Sequence, residues 1–244
     1  MAKIPQLEIQ TLDERAIIRQ LQELRNRCAE RFPTRGLTQT IGHVLDMARP
    51  AARDAASLRK THWPLRILSF VAIGSAIAGL IRVLDFYEIT VGGQSNATEF
   101  TQAVEAALNI ILLSGVFIVF FVTLENRFKR TKALNGLYKL RAIAHVIDMH
   151  QLTKDPGWVA GQQRTASSPL RDLTDDQLLR YLDYCSEALS LTGKLGALYA
   201  QYFPDATVVS AVNDIEELTT NLSRKIWQKI MLLQSSKTGE TPLQ

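Results

Sequence analysis

Two short stretches of the chain share one pattern: IGHVLDM at 41–47 and IAHVIDM at 143–149 both read His-Val-aliphatic-Asp-Met. In each, a histidine and an aspartate lie three residues apart, which on a helix puts them on one face. An imidazole nitrogen and a carboxylate oxygen are donors that a divalent transition metal accepts. His43, Asp46, His145 and Asp148 are therefore the candidate metal ligands. The competing expectation is structural. Asp46 falls well off the apolar stripe of its segment, and short look-alikes arise readily in helical sequence. Hydrogen bonds or an interfacial pair would account for the motif with no metal and no cofactor. His150 falls on another helix face from His145, and His62 is expected at the membrane entry, so neither adds a ligand with useful geometry.

No other chemistry is written in the chain. There is no G-x-x-x-x-G-K-[ST], G-x-G-x-x-G, G-x-S-x-G or H-E-x-x-H. The two cysteines, Cys28 and Cys185, form neither a disulfide framework nor a metal-ligand spacing. The expectation is a protein that is not an enzyme. Nucleic acid is also not expected as a partner, because the basic residues form no recognition motif and sit beside apolar segments, where anionic lipid is the simpler attraction.

Those apolar segments decide the class. RILSFVAIGSAIAGLIRV, at 66–83, holds fifteen uncharged residues between two arginines whose long stems can carry their charges to the interfaces. AALNIILLSGVFIVFFVTL, at 106–124, is nineteen residues without a charge. Both are apolar all round, unlike the two-faced helices of soluble proteins, and both read as membrane spans. Arg53, Arg59, Lys60 and Arg66 precede the first, Arg127, Lys129, Arg130 and Lys132 follow the second, and 85–105 holds four acids with no Lys or Arg. The positive-inside rule then places both termini in the cytoplasm of a multi-pass protein of a cell (inner) membrane, with the short acidic loop outside. The first thirty residues lack the basic start and apolar core of a signal peptide, so the N-terminus is expected to be retained.

The rest reads as helix. A capping-box pattern at Thr11-x-x-Glu14 opens a helix to about Arg31. A second carries Leu37, Ile41, Val44, Ala48, Ala51, Ala55 and Leu58 on one stripe, with kinks expected at Pro50 and Pro64. The second span is expected to continue without a break to about Gln151. Thr174-x-x-Gln177 opens a helix to about Phe203, and a last helix repeats Val208, Val212, Ile215, Leu218, Leu222, Ile226 and Ile230 at nearly coiled-coil spacing. The expected fold is an all-α membrane protein. It comprises N-terminal cytosolic helices (1–62) and a transmembrane hairpin (63–126, spans 65–84 and 106–125, external loop 85–105). A cytosolic extension (127–151), a linker (152–172), a C-terminal helical hairpin (173–234) and a disordered tail (235–244) follow. The terminal hairpin must pack either on the membrane-proximal helices or on a neighbouring subunit.

The first span is rich in small residues. Ala72, Gly74, Ser75, Ala76, Ala78 and Gly79 supply several small-xxx-small pairs, which let helices approach closely in lipid. They serve either packing on the second span or self-association. In a homo-oligomer this span would line a pore, with Ser69 and Ser75 facing the path. Neither span has a charge at mid-depth, which disfavours a proton-coupled carrier. The functions expected are, first, an oligomeric channel controlled by its cytosolic helices. The second is a membrane-anchored scaffold recruiting a cytosolic protein, and the third a metal-binding or metal-sensing membrane protein. Membrane lipid is a partner in all three.

Overall fold

The computed structural model describes residues 11–59, 97–152 and 173–238, individual positions between 67 and 85, and residues 154 and 167. Every element among the described residues is helical, and none is a strand. In chain order these are α1 (Glu14–Arg31), α2 (Gly36–Leu58), α3 (Ala97–Leu152), α4 (Asp175–Tyr202) and α5 (Ala206–Thr238). The expected kink at Pro64 and nearly all of the 152–172 linker lie outside the described residues.

Local chemistry sets the helix ends. Asp13, not Thr11, caps α1, its carboxylate accepting from Arg15 N at 2.9 Å. An N-cap aspartate sits closer to the apolar run and competes well with threonine for the free amides. At α4 the capping box forms as spelled: Gln177 N donates to Thr174 Oγ1 at 3.3 Å and Thr174 N donates to Gln177 Oε1 at 3.0 Å. Asp205 accepts from Thr207 N and Val208 N and so starts α5. Helix α2 runs through Pro50. Helix α3 begins at Ala97, inside the segment read as external loop, and runs without a break to Leu152. Helix α5 runs to Thr238, four residues into the segment read as a disordered tail.

The chain divides into two compact units, one formed by 1–59 with 132–244 and the other by 60–131. In the first, α4 is the centre. Its buried side chains include Leu178, Leu182, Cys185, Leu189, Leu195, Leu198 and Tyr199, and at 100° per residue its buried positions cover more than half of its circumference. Helices α1, α2 and α5 pack against it. The stripe of α2 from Leu37 to Leu58 is buried, as are Leu137, Leu140, Ala144 and Ile147 of α3. On α5, Val208, Val212, Ile215, Leu222, Ile226 and Ile230 are buried, with Leu218 half-buried beside them.

Glycines bring these helices together. A Cβ on Gly196 would lie 3.5 Å from Ile215 and 3.8 Å from Leu137, so three helices meet there. Gly136 of α3 lies under the ring of Tyr199, where a Cβ would stand 2.6 Å from Cζ. The Tyr199 hydroxyl is buried with no hydrogen-bond partner among the described residues, and burial, with a smaller push from Asp54, raises its pKa to about 12.

The second unit is built differently. Among the described residues one helix, α3, is long and apolar enough to cross a membrane, and its apolar stretch is not buried anywhere in the protein. Leu112, Val119 and Phe120 are exposed. Ser114 and Thr123 donate to the carbonyls of Ile110 and Val119, so their hydroxyls are satisfied within the helix. The described positions between 67 and 85 are helical. Gly79 there is half-buried, its missing Cβ 3.7 Å from Ile110 Cδ1.

Gly136→Ala should overpack the rigid Tyr199 ring and cost about 1–3 kcal/mol, lowering Tm by several degrees in a thermal unfolding scan. Tyr199→Phe removes an unpartnered hydroxyl, and is expected to leave Tm unchanged or raise it and to recover part of the Gly136→Ala loss.

Candidate functional site

The densest buried polar cluster lies where the C-terminal end of α3 meets the start of α2. His150 is half-buried, its ring against Gly36, where a Cβ would stand 2.7 Å from Cε1. Its Nε2 shares a 2.6 Å hydrogen bond with Thr40 Oγ1. The Tyr181 hydroxyl of α4 donates to the His150 carbonyl at 3.5 Å. The next residue, Gln151, is buried; its Nε2 donates to Asp148, while Lys229 of α5 donates to its Oε1 at 2.7 Å and to its carbonyl at 2.9 Å. Helix ends leave carbonyls unpaired, and Lys229 and Tyr181 supply donors to those of α3. Phe32, capping α1, sets its ring edgewise on Tyr181 and Tyr184. All five helices of this unit meet here.

Burial sets the electrostatics of the cluster. Desolvation, helped by Lys154, lowers the His150 pKa, so the imidazole is neutral at pH 7. Burial raises the thiol pKa of Cys28 above its ordinary value, against the effect of the hydrogen bond it shares with Thr38, and raises that of Cys185 much further. A thiol held protonated is a poor nucleophile.

The residues singled out from sequence fall elsewhere. His43 and Asp46 are exposed on α2, His145 is exposed on α3, and Asp148 is half-buried and bonded to Gln151. Among the described residues no three His, Cys, Asp or Glu side chains come together as a metal site would require. In the other unit, Gly74, Ser75 and Ala78 are exposed, and a Cβ on Gly74 would meet nothing within 4 Å. Ser69, Ala72 and Ala76 lie outside the described residues. Among the described residues the helical unit also has open grooves, two of them along α5. One, of about 560 Å³ between α3 and α5, is lined by Tyr138, Arg141, Ser210 and Asp214. The other, of about 480 Å³ between α4 and α5, is lined by serines, threonines and Lys194.

Sequence reasoning set His150 aside because it lies on a different face from His145. The available signal was Gly36 at the start of α2 with Thr40 one turn later, a gap at a helix start that an imidazole can fill. Comparison with protein families, with curated proteins and with solved structures finds no match to the chain.

Because the fold holds His150 neutral, the unfolded chain binds its proton first as pH falls. Stability from this joint is full above the ordinary histidine value of 6.5 and is lost as pH drops through it toward the lowered native value. Thermal scans between about pH 7.5 and pH 5.5 should show Tm falling with acid, and His150→Gln, which does not titrate, should flatten that slope.

Proposed function

We propose that the protein is a two-span integral membrane protein with both termini in the cytoplasm, and that it assembles into a homo-oligomeric channel controlled by its helical unit. The observation that carries the reading is the apolar stretch of α3, none of which is buried, in a chain whose other unit has a core of its own. Exposed apolar surface of that extent marks an interaction surface, and a length sufficient to span hydrocarbon makes lipid the natural partner. The described helical positions between 67 and 85 support a second span, and the charges flanking both segments support the orientation.

The small residues divide their work. Gly79 lies beside Ile110, which supports packing of the two segments within one chain, whereas Gly74, Ser75 and Ala78 remain exposed for neighbours. Small residues on the outward face suit close approach of further copies around a path. Purified protein in liposomes is expected to pass ions, and Gly74→Leu, which fills open space, is expected to abolish most of that flux without lowering Tm. Channel activity is excluded by the absence of flux at all voltages tested from protein shown to be inserted and folded.

The runner-up is a membrane-anchored scaffold. The size of the helical unit and the open grooves along α5 favour it, since a unit with its own core can bind a partner with no pore present. Protein that inserts without conducting and retains one cytosolic protein through the α4–α5 pair would establish it.

A further inference from the structure

Helix α3 buries one stripe in the helical unit and leaves the opposite face bare. On that face Tyr138, Ala142, His145, Met149 and Leu152 are all exposed, and they follow one another at spacings of four, three, four and three. That is the a/d repeat of a coiled coil, about 21 Å long at helical rise. Tyr138 is 60% exposed, Met149 66% and Leu152 59%. Large apolar side chains held this far into solvent in heptad register form half of a seam. The buried face of the same helix accounts for the packing within the chain, so the seam is left over.

We propose that this face of α3 docks the same face of a second copy, forming a parallel, in-register coiled coil about residues 138–152. Charge placement suits that occupant. Arg141, Asp148 and Lys139 flank the seam, and in a parallel pair the positions opposite them are Val146, Thr153 and Leu134, so no like charges meet. The area fits as well. At roughly 100 Å² per exposed seam residue the stripe offers on the order of 500 Å² per copy, below the ~800 Å² of a standard interface. That size suits copies already concentrated in one bilayer, where the second contact is effectively intramolecular. His145 then stands at the centre of the seam. A polar residue at such a position fixes register at some cost in affinity, and this gives the exposed histidine of the repeated motif a use that needs no metal.

The proposal rests on the membrane reading for its parallel direction, since copies anchored alike cannot lie antiparallel, and for the local concentration that offsets its small area. Single-cysteine variants Tyr138→Cys, His145→Cys, Met149→Cys and Leu152→Cys of the full chain, oxidised in isolated membranes, test it. Native Cys28 and Cys185 are buried, and Glu23→Cys on the exposed face of α1 serves as control. All four seam variants should give disulfide-linked dimers and the control none. Met149→Glu in the His145→Cys background should reduce dimer at least several-fold with Tm unchanged. Cross-linking at 145 alone, with 138 joining 152 when those two variants are mixed, indicates an antiparallel pair and overturns the parallel arrangement. No cross-link at any seam position overturns the interface altogether. Extraction of the chain by alkaline carbonate would refute the membrane reading separately, while seam cross-links in that soluble protein would still support docking between copies.

Discussion

Burial of α4 over more than half of its circumference is the constraint from which the helical unit follows. A helix apolar on one stripe needs one neighbour. A helix apolar over so wide an arc must be enclosed, and α1, α2 and α5 pack onto it to do so. Small residues determine how closely they come. Gly193 places α4 against Thr219 and Gly196 places it against Ile215 and Leu137, so the enclosing helices approach where a larger side chain would hold them off. Some of the polar groups that this leaves inside meet at one end, where Thr40, His150, Gln151, Tyr181 and Lys229 are joined by hydrogen bonds. Thr192 and Thr219, also buried, donate to carbonyls of their own helices, while the Tyr199 hydroxyl has no partner among the described residues.

Helix α3 obeys two rules along its length. From 133 to 151 its buried positions recur at helical spacing and its other faces carry Lys139, Arg141 and His145, as expected of a helix between a core and water. From 108 to 120 no apolar side chain is buried and most are exposed, with Ile110 and Ile118 half-buried on one stripe. Water penalises such surface at about 25 cal/mol per Å². The proposed membrane span answers that cost, since hydrocarbon imposes no such penalty on the stretch.

Much of this arrangement was legible in the residues. Period and capping placed α1, α2, α4 and α5 to within a few residues, and the last helix buried the very series its repeat named, with Leu218 half-buried. The misses share a cause. The helix start at Ala97 was hidden because the polar run TEFTQ resembles loop composition, yet it contains no glycine or proline to stop a helix. Thr11 was read as a cap because its pattern is familiar, while Asp13 lay nearer the amides that needed an acceptor. For the candidate site, the repeated His-x-x-Asp pattern drew attention to His43, Asp46 and His145, which are exposed, and to Asp148, which bonds Gln151. The residue that joins the helices, His150, had no motif at all. Its role comes from a gap at Gly36, more than a hundred residues away, and spacing along one helix carries no record of such a gap.

The helical unit is assembled from both ends of the chain, with residues 1–59 and 132–244 sharing one core. Leu12 and Gln201, 189 residues apart, exchange hydrogen bonds across it. During synthesis, then, α1 and α2 emerge with Leu21, Leu24, Ile41 and Val44 bare, and the helix that covers them follows more than a hundred residues later. At ribosomal rates that delay is on the order of ten seconds. For that interval the nascent chain carries a sticky, half-finished surface, and its successful birth depends on whatever shields the first two helices until the fourth has been made.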